Sequence, residues 1–190
     1  MSQEKRVKMK RCLWANKNEE LKRYHDLEWG VKTFNDLNLF EKLTLEIMQS
    51  GLSWNIILNK RNYMMKVFDG FNFEKISMYN NDKLMQFLND KNLIKNKLKL
   101  TAMVNNAKKF ILIRNKFGSF SEYIWSFVNK KQIINNYNNQ DEVPSKTTLS
   151  EYITKNLKQQ GFKFIGPIII YSFLQSAGLI NDHINSCFKK

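Results

Sequence analysis

Cysteine and histidine are scarce in this 190-residue chain, two of each, and proline (two) and glycine (seven) are nearly as rare. Two cysteines cannot build the multi-bridge framework of a small secreted domain. With no secretory signal pattern in view they point to a reducing intracellular setting. No apolar run approaches the ~20 residues a transmembrane helix needs. The longest, from Ile165 to Leu174, carries Gly166, Pro167, Tyr171 and Ser172. Negative charge is also short: 31 Lys and Arg stand against 17 Asp and Glu, a formal net charge of +14. That excess favours a polyanionic partner, nucleic acid or an anionic membrane surface. The asparagine pairs Asn80-Asn81, Asn105-Asn106, Asn135-Asn136 and Asn138-Asn139 fit an AT-rich coding sequence that would inflate lysine as well, so charge alone carries little weight.

What is present is helical periodicity. Apolar residues recur at i, i+3 and i+4 while period-two alternation is scarce, which predicts an all-α chain. The pattern predicts helices over Asn35 to Gly51 (stripe Leu39, Phe40, Leu43, Ile47, Met48), Asn55 to Val67, Asn81 to Asn89, Leu98 to Phe117, Phe120 to Asn129, Ser150 to Gln160 and Pro167 to Ala177. Asp36 and Ser150 read as start signals, and Pro167 sits where a first turn tolerates proline. The polar stretch Lys131 to Lys146 reads as a surface loop. With no internal repeat, the expectation is one compact domain over residues 1–190 with a core of about 10–187, or two helical lobes within it.

The four rare residues fall in two clusters, Cys12 with His25 and His183 with Cys187. The second pair has i,i+4 spacing, which puts both side chains on one helix face, and the first needs a loop or turn to converge. Together they could form one tetrahedral Cys₂His₂ site tying the chain ends together. Equally, they could be two buried thiols and two unrelated histidines, and spacing does not decide. The run Gly161-Phe162-Lys163-Phe164-Ile165-Gly166, between helical patterns, reads as a tight hairpin. Its glycines would let the second helix offer free N–H groups to phosphate, with Lys158 and Lys163 adding charge. An ordinary αα-corner would have the same pattern.

The strings Lys10-Arg11-Cys12-Leu13-Trp14, Tyr24-His25-Asp26-Leu27-Glu28-Trp29-Gly30-Val31, Leu45-Glu46, Gly51-Leu52-Ser53-Trp54, Ile124-Trp125-Ser126-Phe127-Val128, Gly161 to Gly166 and Gly178-Leu179-Ile180-Asn181-Asp182-His183 resemble the 3-methyladenine DNA glycosylase I family, in order and over nearly the whole chain. The resemblance implies an all-α helix-hairpin-helix DNA repair glycosylase that excises 3-methyladenine, with Cys12, His25, His183 and Cys187 matching the ligands of one structural zinc. Glu46 matches the residue that recognises the base. The partner implied is double-stranded DNA carrying alkylated bases, with no membrane, and the protein is taken as a cytoplasmic monomer, at the nucleoid if bacterial.

The chemistry agrees with that expectation. A glycosylase must extrude its target nucleotide and hold the base among aromatic faces and hydrogen-bonding groups. Methylation at N3 makes adenine a cation, hence a good leaving group that an electron-rich pocket attracts. Trp14, Tyr24, Trp29 and Trp54 are the candidate pocket aromatics. Glu46 would accept from the exocyclic amine and balance the charge. Gly51, Leu52, Gly161, Lys163 and Gly166 are the candidate DNA contacts, Leu52 as the wedge filling the vacated stack. Many helix-hairpin-helix glycosylases carry an Asp where this chain has Asn181. Asp182 is expected to support or cap the structure near His183, so its loss should disturb metal content more than chemistry. No lysine stands out as a Schiff-base nucleophile, so monofunctional hydrolysis is expected. A binding module using the hairpin alone would need neither Glu46 nor the aromatics, and a zinc deaminase would need an H-x-E signature that is absent.

Overall fold

The computed structural model describes residues 9–190, so the first eight residues of the expected 1–190 domain lie outside the described part. Nine α-helices are present among the described residues: α1 (Glu19–Leu27), α2 (Asp36–Gln49), α3 (Trp54–Val67), α4 (Phe73–Ser77), α5 (Asn81–Asn89), α6 (Lys97–Phe117), α7 (Phe120–Ser126), α8 (Thr148–Gln159) and α9 (Pro167–Ser176). A 3-10 turn, Leu13–Lys17, precedes α1. No helix among the described residues is long and apolar enough to cross a membrane.

Asparagine sets many of these boundaries. The side chains of Asn18, Asn35, Asn72, Asn80 and Asn96 accept from the first-turn N–H groups of α1, α2, α4, α5 and α6. A short amide side chain is among the best groups for that task, worth typically ~1 kcal/mol per helix. Asp36, expected to start α2, instead sits inside its first turn and caps α7 across the core, accepting from the N–H groups of Phe120 (3.0 Å) and Ser121 (2.9 Å). Ser150 likewise lies within α8, closing a capping box with Thr147.

The core runs through α2, α6, α7 and α9. Leu39, Phe40, Leu43 and Ile47 of α2, Phe110 of α6, Phe120 of α7 and Phe173 and Leu174 of α9 are buried in one apolar cluster. A second, smaller cluster gathers Cys12, Leu21, Tyr24, Trp29, Leu58, Ile184 and Cys187. The two clusters meet at Trp54.

Two elements depart from the sequence reading. The stretch Lys131 to Lys146 contains a short strand, β1 (Ile133–Ile134), that pairs in parallel with β2 (Ile180–Asn181), so the fold is mostly helical rather than strictly all-α. Trp125 does not lead into helix up to Asn129; α7 ends at Ser126, and Asn129 and Lys130 take positive φ. Gly178, between α9 and β2, has φ +73° and lies so close to Val31 that a Cβ would come within 2.3 Å of its carbonyl. Only glycine permits that approach, which seats the C-terminal segment against the irregular segment entering α2.

Candidate active site

At the chain ends, Cys12, His25, His183 and Cys187 are all buried, and their ligand atoms lie within 4.8 Å of one another, so the cluster could hold a metal ion. The Cys187 Sγ is 3.4 Å from His25 Nε2 and 3.5 Å from His183 Nδ1, and the Cys12 Sγ is 3.7 Å from His183 Nδ1. The outward nitrogens fix the tautomers. His25 Nδ1–H donates to Asp26 Oδ1 (2.7 Å), itself held by Arg11 (2.7 Å), and His183 Nε2–H donates to the Trp29 carbonyl (3.1 Å). Both inward nitrogens therefore carry lone pairs, the state a metal requires. The Cys12 backbone N–H points to the same His25 Nε2 at 3.4 Å. Burial pushes the Cys12 thiol up and the His25 and His183 imidazoles down, His183 to about 4.

The helix expected to carry His183 and Cys187 at i,i+4 is absent: residues 182–190 form turns after β2, with Cys187 N–H bonded to the Ile184 carbonyl. The N-terminal pair converges through the 3-10 turn and α1. Helix α1 escapes sequence reading because charged Glu19, Glu20, Lys22 and Arg23 crowd its few apolar positions, Leu21 and Tyr24 being buried.

Trp29 links the tetrad to a cleft. Its ring lies 4.6 Å from the His183 ring and 5.2 Å, edge to face, from Trp14. The cleft, about 450 Å³, is lined by Trp14, Tyr24, Trp29, Glu46 and Trp54, all five candidate base-binding residues. Tyr24 and Trp54 pack with centroids 5.1 Å apart. The ambiguity over Glu46's facing resolves inward: it is 5 % exposed, on the cleft side of α2. Burial pushes its carboxyl up to about 8, against the pull of the Ser176 hydroxyl and the Lys42 ammonium. It is the one acidic side chain in the lining, and the indole Nε1 of Trp54 and Oε1 of Gln140 are buried without a hydrogen-bond partner among the described residues.

Sequence reading did not find the opposite wall. Gln140, Val143, Pro144 and Ser145 line the cleft from the segment read as a surface loop, with Ile168, Tyr171, Ser172 and Gln175 from α9. A loop's contribution has no periodic signal, whereas the α9 residues follow helical spacing and could have been found as the face opposite Phe173 and Leu174.

The candidate DNA contacts divide. Gly51, Leu52 and Gly166 line a second groove of about 460 Å³ that shares Glu46, Gln49, Ile168 and Ser172 with the cleft, and Leu52 is exposed there. Gly161 and Lys163 are not in it. Gly161 takes φ +89° against Lys109, and its carbonyl accepts from Asn105 (2.9 Å). The Lys163 peptide is clasped by the buried Asn106, whose amide bonds its N–H (2.8 Å) and carbonyl (3.0 Å), while the lysine side chain is exposed. The hairpin is thus braced from α6. Asp182 does not support His183: fully buried, it accepts from Asn135, Tyr171 and Gln175, while the histidine is supported by the Trp29 carbonyl.

Residues 14–190 match the methyladenine glycosylase family. The chain is 40 % identical to the DNA-3-methyladenine glycosylase of Haemophilus influenzae over 93 % of its own length and 96 % of the relative's. It is 35 % identical to DNA-3-methyladenine glycosylase 1 of Escherichia coli, covering 94 % of this chain and 96 % of that one. It also superposes with a TM-score of 0.92, at 33 % identity and over 96 % of this chain and 98 % of the other, on a crystal structure of a 3-methyladenine DNA glycosylase I variant in complex with 3-methyladenine. With matches of this length in both sequence and structure, the chain belongs to the methyladenine glycosylase family.

Proposed function

We propose that this chain hydrolyses the N-glycosidic bond of 3-methyladenine in alkylated double-stranded DNA and leaves an abasic site. The observation that carries the reading is the buried Glu46 carboxylate in a cleft walled by Trp14, Tyr24, Trp29 and Trp54. A cleft of about 450 Å³ lies in the ordinary range for a small ligand. A cationic base would be held by the aromatic faces, and its charge would draw the Glu46 carboxyl down from about 8 into the ionised form that accepts from the exocyclic amine. Extrusion costs a few kcal/mol of unstacking, least for a damaged base.

Little further catalytic apparatus is required, because the cationic base already leaves readily. Asn181 is spent locally, its Oδ1 accepting from the His183 N–H at 3.0 Å, and neither it nor Asp182 lines the cleft. Lys17, the lysine of the lining, is exposed rather than desolvated, which favours water over a lysine as nucleophile.

The DNA would lie across the groove where Gly51-Leu52 and Gly166-Pro167 meet, Leu52 entering the vacated stack. Gly166 offers no side-chain cap to α9, so the first-turn N–H groups are available to a backbone phosphate in the helix-hairpin-helix manner. Gly161 and Lys163 serve this grip through hairpin shape and charge.

For the tetrad we read a structural zinc, one per chain, held by Cys12, His25, His183 and Cys187. Zinc–sulfur and zinc–nitrogen bonds of about 2.3 and 2.05 Å put tetrahedral N and S ligands about 3.6 Å apart. The N···S separations of 3.4, 3.5 and 3.7 Å match that edge. Four ligands leave no open position, so the metal would join the chain ends rather than activate water. The same reading takes the chain as a single domain working as a cytoplasmic monomer.

The test is single-turnover incubation of the protein with methylated duplex, with released base identified by chromatography. Free 3-methyladenine with intact strands supports the reading. Tight duplex binding without base release would leave a non-catalytic binding module.

A further inference from the structure

Asp182 is fully buried, and three donors converge on its carboxylate: Tyr171 Oη at 2.5 Å and Gln175 Nε2 at 2.7 Å on Oδ2, and Asn135 Nδ2 at 2.7 Å on Oδ1. Two of the donors, Tyr171 and Gln175, line the cleft one helical turn apart on α9. A carboxylate accepts only, so it dictates how each group is turned. The Gln175 amide gives one N–H of its NH₂ to Asp182, which turns the Nε2 side toward the carboxylate and the Oε1 side away from it. The Tyr171 hydroxyl must spend its proton on Asp182, which leaves oxygen lone pairs. Burial and the adjacent carboxylate also push the Tyr171 phenol far above its ordinary range, so it stays protonated and keeps donating to Asp182.

We propose that Asp182 is a positioning residue that sets the hydrogen-bond polarity of the cleft, turning the donors of Tyr171 and Gln175 away and leaving acceptors on the α9 wall. This rests on the glycosylase reading above. A cleft for a cationic purine gains from acceptors and loses from donors, because each N–H aimed at a cation costs attraction without a bond in return. On α2, Glu46 supplies one acceptor as the carboxylate that the cation draws into its ionised form. On the facing wall the same polarity is obtained with neutral groups, the negative charge being held one layer behind them, where three hydrogen bonds satisfy it. The arrangement also gives the segment read as a surface loop a role. Asn135 follows β1 and closes the third side of the carboxylate, so the pairing of Ile133–Ile134 with Ile180–Asn181 brings donor and acceptor together.

The test is a swap. In Asp182→Asn one of the two acceptor oxygens becomes an NH₂, so Tyr171 and Gln175, which share Oδ2, and Asn135 on Oδ1 can no longer all donate to the residue. Single-turnover excision of 3-methyladenine from duplex should fall roughly tenfold or more, with bound metal and affinity for undamaged duplex unchanged. The double variant Asp182→Asn with Gln175→Glu exchanges amide and carboxylate, restores acceptors at the cleft and should recover most of the rate. Gln175→Met keeps the side chain's length without the amide and should lose rate by a similar factor, which covers the case in which the Asn variant alone does not fold. Wild-type excision by Gln175→Met, or a slow but folded Asp182→Asn that the swap fails to rescue, would overturn the proposal. Loss of metal in Asp182→Asn would return the residue to a merely structural role. Failure of the wild-type chain to release base would instead overturn the glycosylase reading itself.

Discussion

The tetrad and the cleft share a wall at Trp29, yet they treat polar groups in opposite ways. In the tetrad each polar atom faces a partner: the outward nitrogens of His25 and His183 are bonded to Asp26 and the Trp29 carbonyl, and the inward ones face thiols. In the cleft a carboxyl is buried at a cost that lifts it to about 8, and two polar atoms, Trp54 Nε1 and Gln140 Oε1, have no partner among the described residues. Satisfied burial marks a region that holds the fold, whereas unsatisfied burial in a cavity marks one that awaits a ligand. The contact of Trp29 with His183 couples the two, so closing the chain ends also sets one aromatic face of the cleft.

The largest effect should come from opening the tetrad. Cys187→Ala, or removal of metal by a strong chelator, should abolish stoichiometric zinc and lower the melting temperature sharply, because free energies of metal binding run to several kcal/mol and are folding energy when the site joins distant segments. Metal content and thermal unfolding measured together check this. Stable full-length protein without a transition metal would remove the distinction between the two regions.

A smaller and opposite effect is expected in the cleft. The Glu46 carboxyl is raised in the folded protein from 4.5 to about 8, so folding favours its protonated form. Stability from this group is complete below about pH 4.5 and is lost as pH rises through about 8. Glu46→Gln should therefore leave stability near pH 4 little changed and raise it at pH 9, by on the order of a few kcal/mol at most. Denaturant melts at the two pH values check the sign. An equal effect at both would mean that burial is not what shifts the carboxyl.

Smaller still is the change expected at the groove. Gly166→Glu puts a carboxylate where α9 would meet phosphate, and duplex affinity should drop about tenfold for damaged and undamaged DNA alike, since backbone contacts position without specifying. A steep fall of wild-type affinity with salt should accompany it. Fluorescence anisotropy on both duplexes reads the two effects, and an unchanged affinity in a folded variant would separate the groove from DNA.

The helices with dense apolar stripes were legible: α2, α3, α5, α6 and α9 lie where periodicity puts them. Helices α1 and α4 were not, the first because charge crowds its apolar positions and the second because Phe73–Ser77 is too short to show a period. All five candidate base-binding residues and all four candidate ligands converge, because motif order carried them where periodicity could not. What escaped was decided by tertiary partners. The asparagine pairs read as coding bias include a helix cap (Asn80), the clasp on the hairpin (Asn105 and Asn106), a donor to Asp182 (Asn135) and a partner of Asn185 (Asn138). Nothing local to Asn135 announces a carboxylate 47 positions away. For the same reason Asp182 was assigned to its sequence neighbour His183 rather than to Tyr171 and Gln175.

The central claim is that the cleft's buried carboxyl reads a methylated base, and single-turnover excision by Glu46→Gln at saturating enzyme tests it most directly. The amide keeps the volume of the side chain but loses its charge and one acceptor. A hydrogen bond to a charged group is worth roughly 1.5–3 kcal/mol, so release of 3-methyladenine should slow on the order of ten- to a hundredfold while duplex binding barely changes. Wild-type excision by this variant would contradict the account and move recognition to other groups of the cleft.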